Sequence, residues 1–154
     1  VEKARTLRLG SAISLELEFA SLTTCSWTNK AYGNYYAMLP LPEFIFPSLA
    51  KRWQDLAPPE LTGVVRGDRI EQYIREDGVV IEDHDLRSHR LRFVNHPQRG
   101  FVGTCKYQLR GPDNAVPGED LLTVRQQIIL LAQVAFYTGI GYKTAMGMGQ
   151  VRLM

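Results

Sequence analysis

Cysteine is scarce: Cys25 and Cys105 are the only two in 154 residues. Two are too few for a disulfide scaffold in a chain of this size, so reduced thiols in a cytoplasmic protein are expected, with Cys105 a small core residue. No apolar run approaches the roughly 20 residues of a membrane span, and no signal peptide opens the chain, so no membrane association is expected. Charge of one sign is also lacking. Lys and Arg number 18 against 16 Asp and Glu, a net charge of +2, and that total alone neither favours nor excludes a nucleic-acid partner. Histidine is limited to His84, His89 and His96. Their spacing makes no metal motif and no cysteine pair joins them; no metal and no cofactor are expected. Repeats and low-complexity tracts are absent. The first residue is Val rather than Met, and Val1–Arg8 is charged and unpatterned. The natural polypeptide is therefore expected to continue upstream.

What is present is a chain with 45% hydrophobic residues, enough for one cored domain over residues 1–154. From Leu7 to Phe19 apolar and polar residues alternate, the period of a half-buried strand. A Ser-, Thr-, Asn- and Tyr-rich stretch over 21–36 reads as a loop. Phe44 to Ala57 carries Ile45, Leu49, Trp53 and Leu56 at helical spacing, with Pro40 and Pro42 at its entry and Pro58-Pro59 at its end. Pro47 fits that helix only in its first turn. Between Thr62 and Ile81 the pattern is weaker and reads as an extra hairpin or insertion. Leu91–Val94 reads as a strand with Arg90 and Arg92 facing away from the core. His96-Pro-Gln-Arg-Gly100 has turn chemistry, and strict alternation from Phe101 to Arg110 makes the second arm of a hairpin.

Thr123 and Gln126 have capping-box spacing ahead of an almost wholly apolar helix, Val124 to Thr138, whose breadth of apolar surface predicts burial against a sheet. Gln150–Met154 reads as a last short strand. Strand, helix, two strands, helix, strand predicts an α+β fold: a four-stranded antiparallel sheet backed by two helices, ferredoxin-like (RRM-like), with a hairpin insertion.

Between the last helix and last strand, Gly139, Gly141, Gly147 and Gly149 fall within eleven residues. Gly139 fits a helix C-cap. The set as a whole has two readings, a tight turn into an edge strand or a loop whose amides cradle phosphate. Tyr142 would add a stacking ring and Lys143 a point charge. A Walker loop is excluded because Tyr142-Lys143-Thr144 follows a helix instead of preceding one. A dinucleotide fingerprint needs strand, glycines, helix and a later acidic residue, for which the sequence to Met154 has no room. Arg87, Arg90, Arg92 and Lys106 fall close together and are expected to form one hairpin face, beside the solvent-facing Glu82-Asp83. Trp27, Tyr32, Tyr35 and Tyr36 cluster near Asn29 and Lys30, where they can stack on single-stranded RNA or pack beneath their own loop, with packing expected for at least half. No catalytic residue stands out, since no nucleophile elbow or Ser/His/Asp arrangement is present.

Ser21-Leu-Thr-Thr after the first strand, Leu39-Pro-Leu-Pro-Glu-Phe-Ile-Phe-Pro-Ser-Leu-Ala-Lys-Arg-Trp53, Gly100-Phe-Val-Gly103 and the closing Gly139–Arg152 stretch together resemble the C-terminal domain of CRISPR-associated RAMP endoribonucleases. The resemblance covers nearly the whole chain, and the glycine-rich ending is its most specific part. It implies a parent with two ferredoxin-like domains in tandem, processing precursor CRISPR RNA within the repeat by metal-independent attack of a 2′-hydroxyl that leaves a cyclic phosphate. RNA contact would fall to Gly139, Gly141, Lys143, Gly147 and Gly149; Tyr142, by its ring, and Arg87, Arg90, Arg92 and Lys106, by their charge, are expected to bind the RNA beside them. The general base, often a histidine, usually belongs to the first domain, so none of the three histidines inherits that role. The implied partners are the CRISPR repeat RNA, an N-terminal RAMP domain in cis or on a companion chain, and other CRISPR effector subunits. Two alternatives stand beside this: a non-catalytic RNA-binding subunit of an effector complex, and a ferredoxin-like interaction domain without an RNA function.

Overall fold

A computed structural model describes residues 12–92, 97–111, 119–141 and 147–154. The elements are β1 (Ile13–Thr23), β2 (Cys25–Asn29), β3 (Gly33–Ala37), α1 (Pro42–Leu56), α2 (Gly67–Arg75), β4 (Val79–Arg92), β5 (Pro97–Leu109), α3 (Val124–Thr138) and β6 (Val151–Leu153), with a single 3₁₀ turn at Thr62–Val64. The main sheet has the order β4-β5-β1-β6, and each neighbouring pair is antiparallel. One connection carries α1 and α2, the other carries α3. This is the α+β, ferredoxin-like arrangement that the alternation and helix periods predict.

Alternation in β1 sends Leu15, Leu17 and Phe19 inward, where they join Phe101, Cys105, Tyr107 and Leu109 of β5. Ile45, Phe46 and Leu49 of α1 and Ile128, Leu131 and Ala135 of α3 cover that face. Burying each large side chain of this set contributes about 1.5–3 kcal/mol. Tyr107 is wholly buried and its hydroxyl donates to the Pro40 carbonyl at 2.6 Å, which fixes the chain as it enters α1. The capping box at α3 forms as its spacing predicts, with Gln126 N donating to Thr123 Oγ1 at 3.2 Å and Thr123 N to Gln126 Oε1 at 3.0 Å.

Four local expectations change. α1 begins at Pro42 instead of Phe44, which puts Pro47 in its second turn. A helix tolerates such a residue at a cost of about 3 kcal/mol, here offset by the apolar anchors on both sides of it. Residues 62–81 form a 3₁₀ turn and α2 instead of a hairpin. Ile70, Tyr73 and Ile74 supply a helical stripe that is short enough to miss, and tertiary contacts complete it. Gln127 of α3 accepts from Arg66 N at 2.8 Å, and Arg66 and Arg69 converge on the nearly buried Asp120 carboxylate. The loop expected over 21–36 is instead the end of β1 followed by a separate hairpin, β2 against β3. Pro97–Gly100 belong to β5, not to a turn. Residues 93–96, which include His96 and the end of the strand expected at 91–94, lie outside the described residues, as do Leu7–Ser11. Among the described residues no helix is long and apolar enough to cross a membrane.

Both thiols lie in the core. Burial pushes Cys25 up to about 11 against the opposing pull of the Arg52 charge, and burial likewise pushes Cys105 up to about 11. The folded state therefore favours the neutral thiols. That contribution is complete below their ordinary value of 9.0 and is lost as pH rises through about 11. Urea midpoints should hold up to about pH 9 and fall between 9 and 11, with a smaller fall in a Cys25→Ala, Cys105→Ala variant. A thiol reagent at pH 8 should label neither residue until the chain is unfolded.

Candidate nucleic-acid interface

Leu22, Thr23 and Thr24, at the end of β1, are the point where three segments meet. All three are buried. β1 departs from regular register here, with Phe19 opposite Gly103 and Thr23 opposite Phe101, so extra residues bulge out between two partners. From the β5 side, Gly100 lies so close that a methyl group on it would run into the Thr23 carbonyl. From the other side comes the glycine-rich return between α3 and β6. Gly149 N donates to Leu22 O at 2.9 Å, Ala20 N donates to Gln150 O at 2.8 Å, and Gln150 N donates to Ser21 Oγ at 2.9 Å. The third segment is the β2–β3 hairpin, which leaves directly from Thr24; the Thr24 hydroxyl donates to Ala37 O at 3.2 Å and closes its root.

The glycines divide by role. Gly139, Gly141, Gly147 and Gly149 all have positive φ, between 68° and 86°. Gly139 ends α3 as expected, its amide donating to Ala135 O, although its ψ of 175° is extended instead of left-handed helical. A side chain at Gly141 would strike the Thr24 carbonyl, and one at Gly149 would strike the Ile140 carbonyl. The crossing is closed by Ile140 N donating to Gly149 O at 2.9 Å. Gly147 is different: it is exposed and nothing lies where its side chain would be. Tyr142 and Lys143 lie outside the described residues.

Arg52 joins the site without having been expected there. Its Nη1 donates to Thr138 O at 2.9 Å and its Nη2 to Gly141 O at 2.6 Å, so one guanidinium holds the carbonyls on both sides of the Gly139-Ile140 turn. The side chain reaches across from α1, and the signal for it is the cation at position 52 on a helix whose apolar residues already fix which side faces the core. A cleft of about 400 Å³ opens beside it, lined by Ser48, Lys51, Arg52, Asp55 and Leu56.

The basic residues occupy the β4–β5 hairpin, which runs beyond the end of β1. Strand register splits the four expected there. Arg87 stands opposite Val102, on the side that carries Asp83, Asp85 and Lys106. Lys106 is within 3.6 Å of Glu82. Arg90 and Arg92 lie on the other side, and Arg90 is directly opposite Arg99. The single face expected for Arg87, Arg90, Arg92 and Lys106 is thus two faces, because residues three apart on a strand point in opposite directions. No acidic residue occurs from Leu86 to Pro112. Among the described residues no carboxylate pairs with Arg87, Arg90, Arg92 or Arg99. Like charges facing each other across a ladder repel, so the Arg90–Arg99 pair favours a bound anion. His84 and His89 are exposed on the same strand, as are Glu82 and Asp83.

The family model for the CRISPR-associated endoribonuclease Cas6 matches residues 17–151, which is most of the chain. This chain belongs to the Cas6 family. Among solved structures, the product complex of a Cas6 (TTHB231) matches with a TM-score of 0.70 at 23% identity, over 97% of this chain and 54% of that one. A second structure, Thermus thermophilus Cas6 (TTHB231), matches with a TM-score of 0.68 at 22% identity, over 97% and 57%. A Cas6 (TTHA0078) substrate mimic complex matches with a TM-score of 0.59 at 25% identity, over 92% and 53%. The chain spans about half the length of these Cas6 chains. No curated protein matches.

The geometry of the return separates its glycines by experiment. Gly141→Ala and Gly149→Ala should each lower the thermal midpoint well beyond Gly147→Ala. The first two add a clash with a carbonyl to the cost of positive φ, while Gly147→Ala carries only the conformational cost of about 1–2 kcal/mol. Equal midpoints for the three variants would refute the division. Arg52→Ala should speed amide exchange at Ile140 and Gly149, and Arg52→Lys should restore protection only in part, because an ammonium lacks the fork that spans two carbonyls.

Proposed function

We propose that this chain is the RNA-binding half of a CRISPR repeat endoribonuclease, a single ferredoxin-like RAMP domain acting with an N-terminal RAMP domain in the same polypeptide or on a companion chain. The observation that carries the reading is the part of the β4–β5 hairpin from Leu86 onward, which has no acidic residue and on which Arg90 faces Arg99, with Arg92 beside them and no described carboxylate paired to any of the three. Three exposed guanidiniums on one strand pair offer forked donors suited to phosphate oxygens. Membership of the Cas6 family, and the product and substrate-mimic complexes solved for its structural relatives, support RNA as the polyanion.

In this reading the arginines hold phosphates and set the register of the RNA, the glycine-rich return offers backbone amides, and Lys143, which lies outside the described residues, is expected to add a phosphate contact. Gly147, whose glycine no packing contact requires, is the place where RNA would approach the backbone closely. Cleavage by 2′-hydroxyl attack, independent of metal, would draw its general base from the N-terminal domain. The chain supplies binding and orientation to that step, which is where positioning contributes most.

Labelled repeat RNA titrated across a salt series tests this. Arg90→Ala and Lys143→Ala should each weaken binding and lower the salt slope by about one unit. Unchanged affinity and slope in both variants would mean the RNA lies elsewhere. Incubating the full-length polypeptide with the same RNA in EDTA should yield one discrete product. Binding without a product would instead assign the chain to a non-catalytic subunit of an effector complex.

A further inference from the structure

The β2–β3 hairpin stands outside the main sheet as a two-stranded ribbon. A ribbon of this kind is marginal by itself and needs packing on at least one face. Here one face is only partly supported. Trp27 and Tyr35 sit directly opposite each other and both meet Phe44 edge-on, with ring centroids 5.1 and 6.4 Å away. Even so, Trp27 remains 44% exposed and Tyr35 46% exposed. Tyr36, opposite Ser26 on the other face, is 52% exposed, and Tyr32 at the tip is 93% exposed. The tip is not loose. Asn29 Oδ1 accepts from Ala31 N at 2.8 Å and from Tyr32 N at 2.9 Å, which holds Tyr32 outward.

Charge and continuity decide what such rings meet. From Ala20 to Pro42 the chain has no acidic residue and one cation, Lys30, which is exposed beside Tyr32. The polar residues between the rings are Ser26, Thr28, Asn29 and Asn34. The ribbon is rooted at Thr24, against whose carbonyl Gly141 packs, so the glycine-rich return and the root of the ribbon are adjacent on the surface. We propose that these rings, Trp27 and Tyr35 on one face, Tyr36 on the other and Tyr32 at the tip, form a stacking platform for single-stranded nucleobases that pass around the ribbon and flank the RNA held at the return and the arginine hairpin. The proposal rests on the RNA reading above. Aromatic faces accept any base, so this platform adds affinity for unpaired RNA without reading its sequence.

The test uses the protein with repeat RNA that carries a single-stranded flank, and with the same RNA lacking the flank. Tyr32→Ala and the double variant Tyr32→Ala, Tyr36→Ala should lose about tenfold or more in affinity for the flanked RNA. Binding of the unflanked RNA and the salt slope should stay as in the wild type, because stacking releases no counterions. Tyr32→Phe should keep wild-type affinity. Tryptophan emission should be quenched by the flanked RNA, and Trp27→Phe should remove that quench while Trp53, bonded through Nε1 to Leu61 O, keeps its own emission. Flanked RNA bound equally by wild type and the Tyr32 variants, with the quench intact in Trp27→Phe, would overturn the platform and leave the ribbon to a protein partner. In that event loss of binding in Arg90→Ala would still uphold the RNA reading, whereas a wild type that binds neither RNA would sink both.

Discussion

The architecture depends on one close approach of backbone to backbone, where the glycine-rich return crosses the end of β1 at Leu22–Thr24. Main-chain amides and carbonyls there must be paired, because the three residues are buried and water cannot serve them. The pairing comes from the return itself, through Gly149 N to Leu22 O and Ala20 N to Gln150 O. Such an approach leaves no room for a β-carbon at Gly141 or Gly149. β6 is short, with Leu17, Glu18 and Phe19 of β1 opposite its three residues. Its place at the sheet edge is therefore set as much by the crossing as by its own ladder. Arg52 ties the same crossing to α1, so the sheet edge, the first helix and the last helix are fixed relative to one another at a single point.

The charge distribution is arranged around that point. Two carboxylates on the open face of the sheet are matched locally: Arg152 Nε lies 2.6 Å from Glu18, and Lys106 lies near Glu82. On the helical side, Asp120 draws in Arg66 and Arg69 and clasps α2 to the approach of α3. Arg90, Arg92 and Arg99, none with a described carboxylate partner, lie together on the part of β4–β5 that extends past β1. A near-neutral total therefore hides a local positive field, which acts over a Debye length of about 8 Å at physiological salt. Net charge alone does not reveal that field, whereas the position of the cations along the chain and the strand register do.

Much of the fold was legible from periodicity. The alternation in β1 and β5, the capping box and apolar run of α3, and the order of elements all translate directly into the observed sheet. The misses share a cause. α2 has one turn-spaced stripe in nine residues, and its helical form is secured by Gln127 and Asp120, which are distant in sequence. The β2–β3 hairpin is built of Ser, Thr, Asn and Tyr, residues that serve a strand and a loop equally well, and what selects the strand is the Thr24–Ala37 closure and the packing on Phe44. In the site, composition placed Arg87, Arg90, Arg92 and Lys106 together, but only register shows that they face two ways. Arg52 could not be read at all, because its ligands are main-chain carbonyls and carbonyls leave no trace in a sequence.

The glycine-rich ending therefore carries two kinds of information that a sequence merges. Gly141 and Gly149 are required by the folded chain itself, whatever it binds, since their β-carbons would overlap carbonyls of β1 and of the return. Gly147 is required by neither neighbour nor core, and its positive φ of 86° is compatible with function alone or with the shape of the loop beside it. Two of the glycines are thus accounted for by packing alone. Under the proposed RNA reading, Gly141 packed on the Thr24 carbonyl and Gly149 on the Ile140 carbonyl would give the exposed Gly147 a fixed base from which to meet the ligand. Preorganisation of this kind lowers the ordering cost of binding, and it links the residues that stabilise the fold to those that would hold the phosphate.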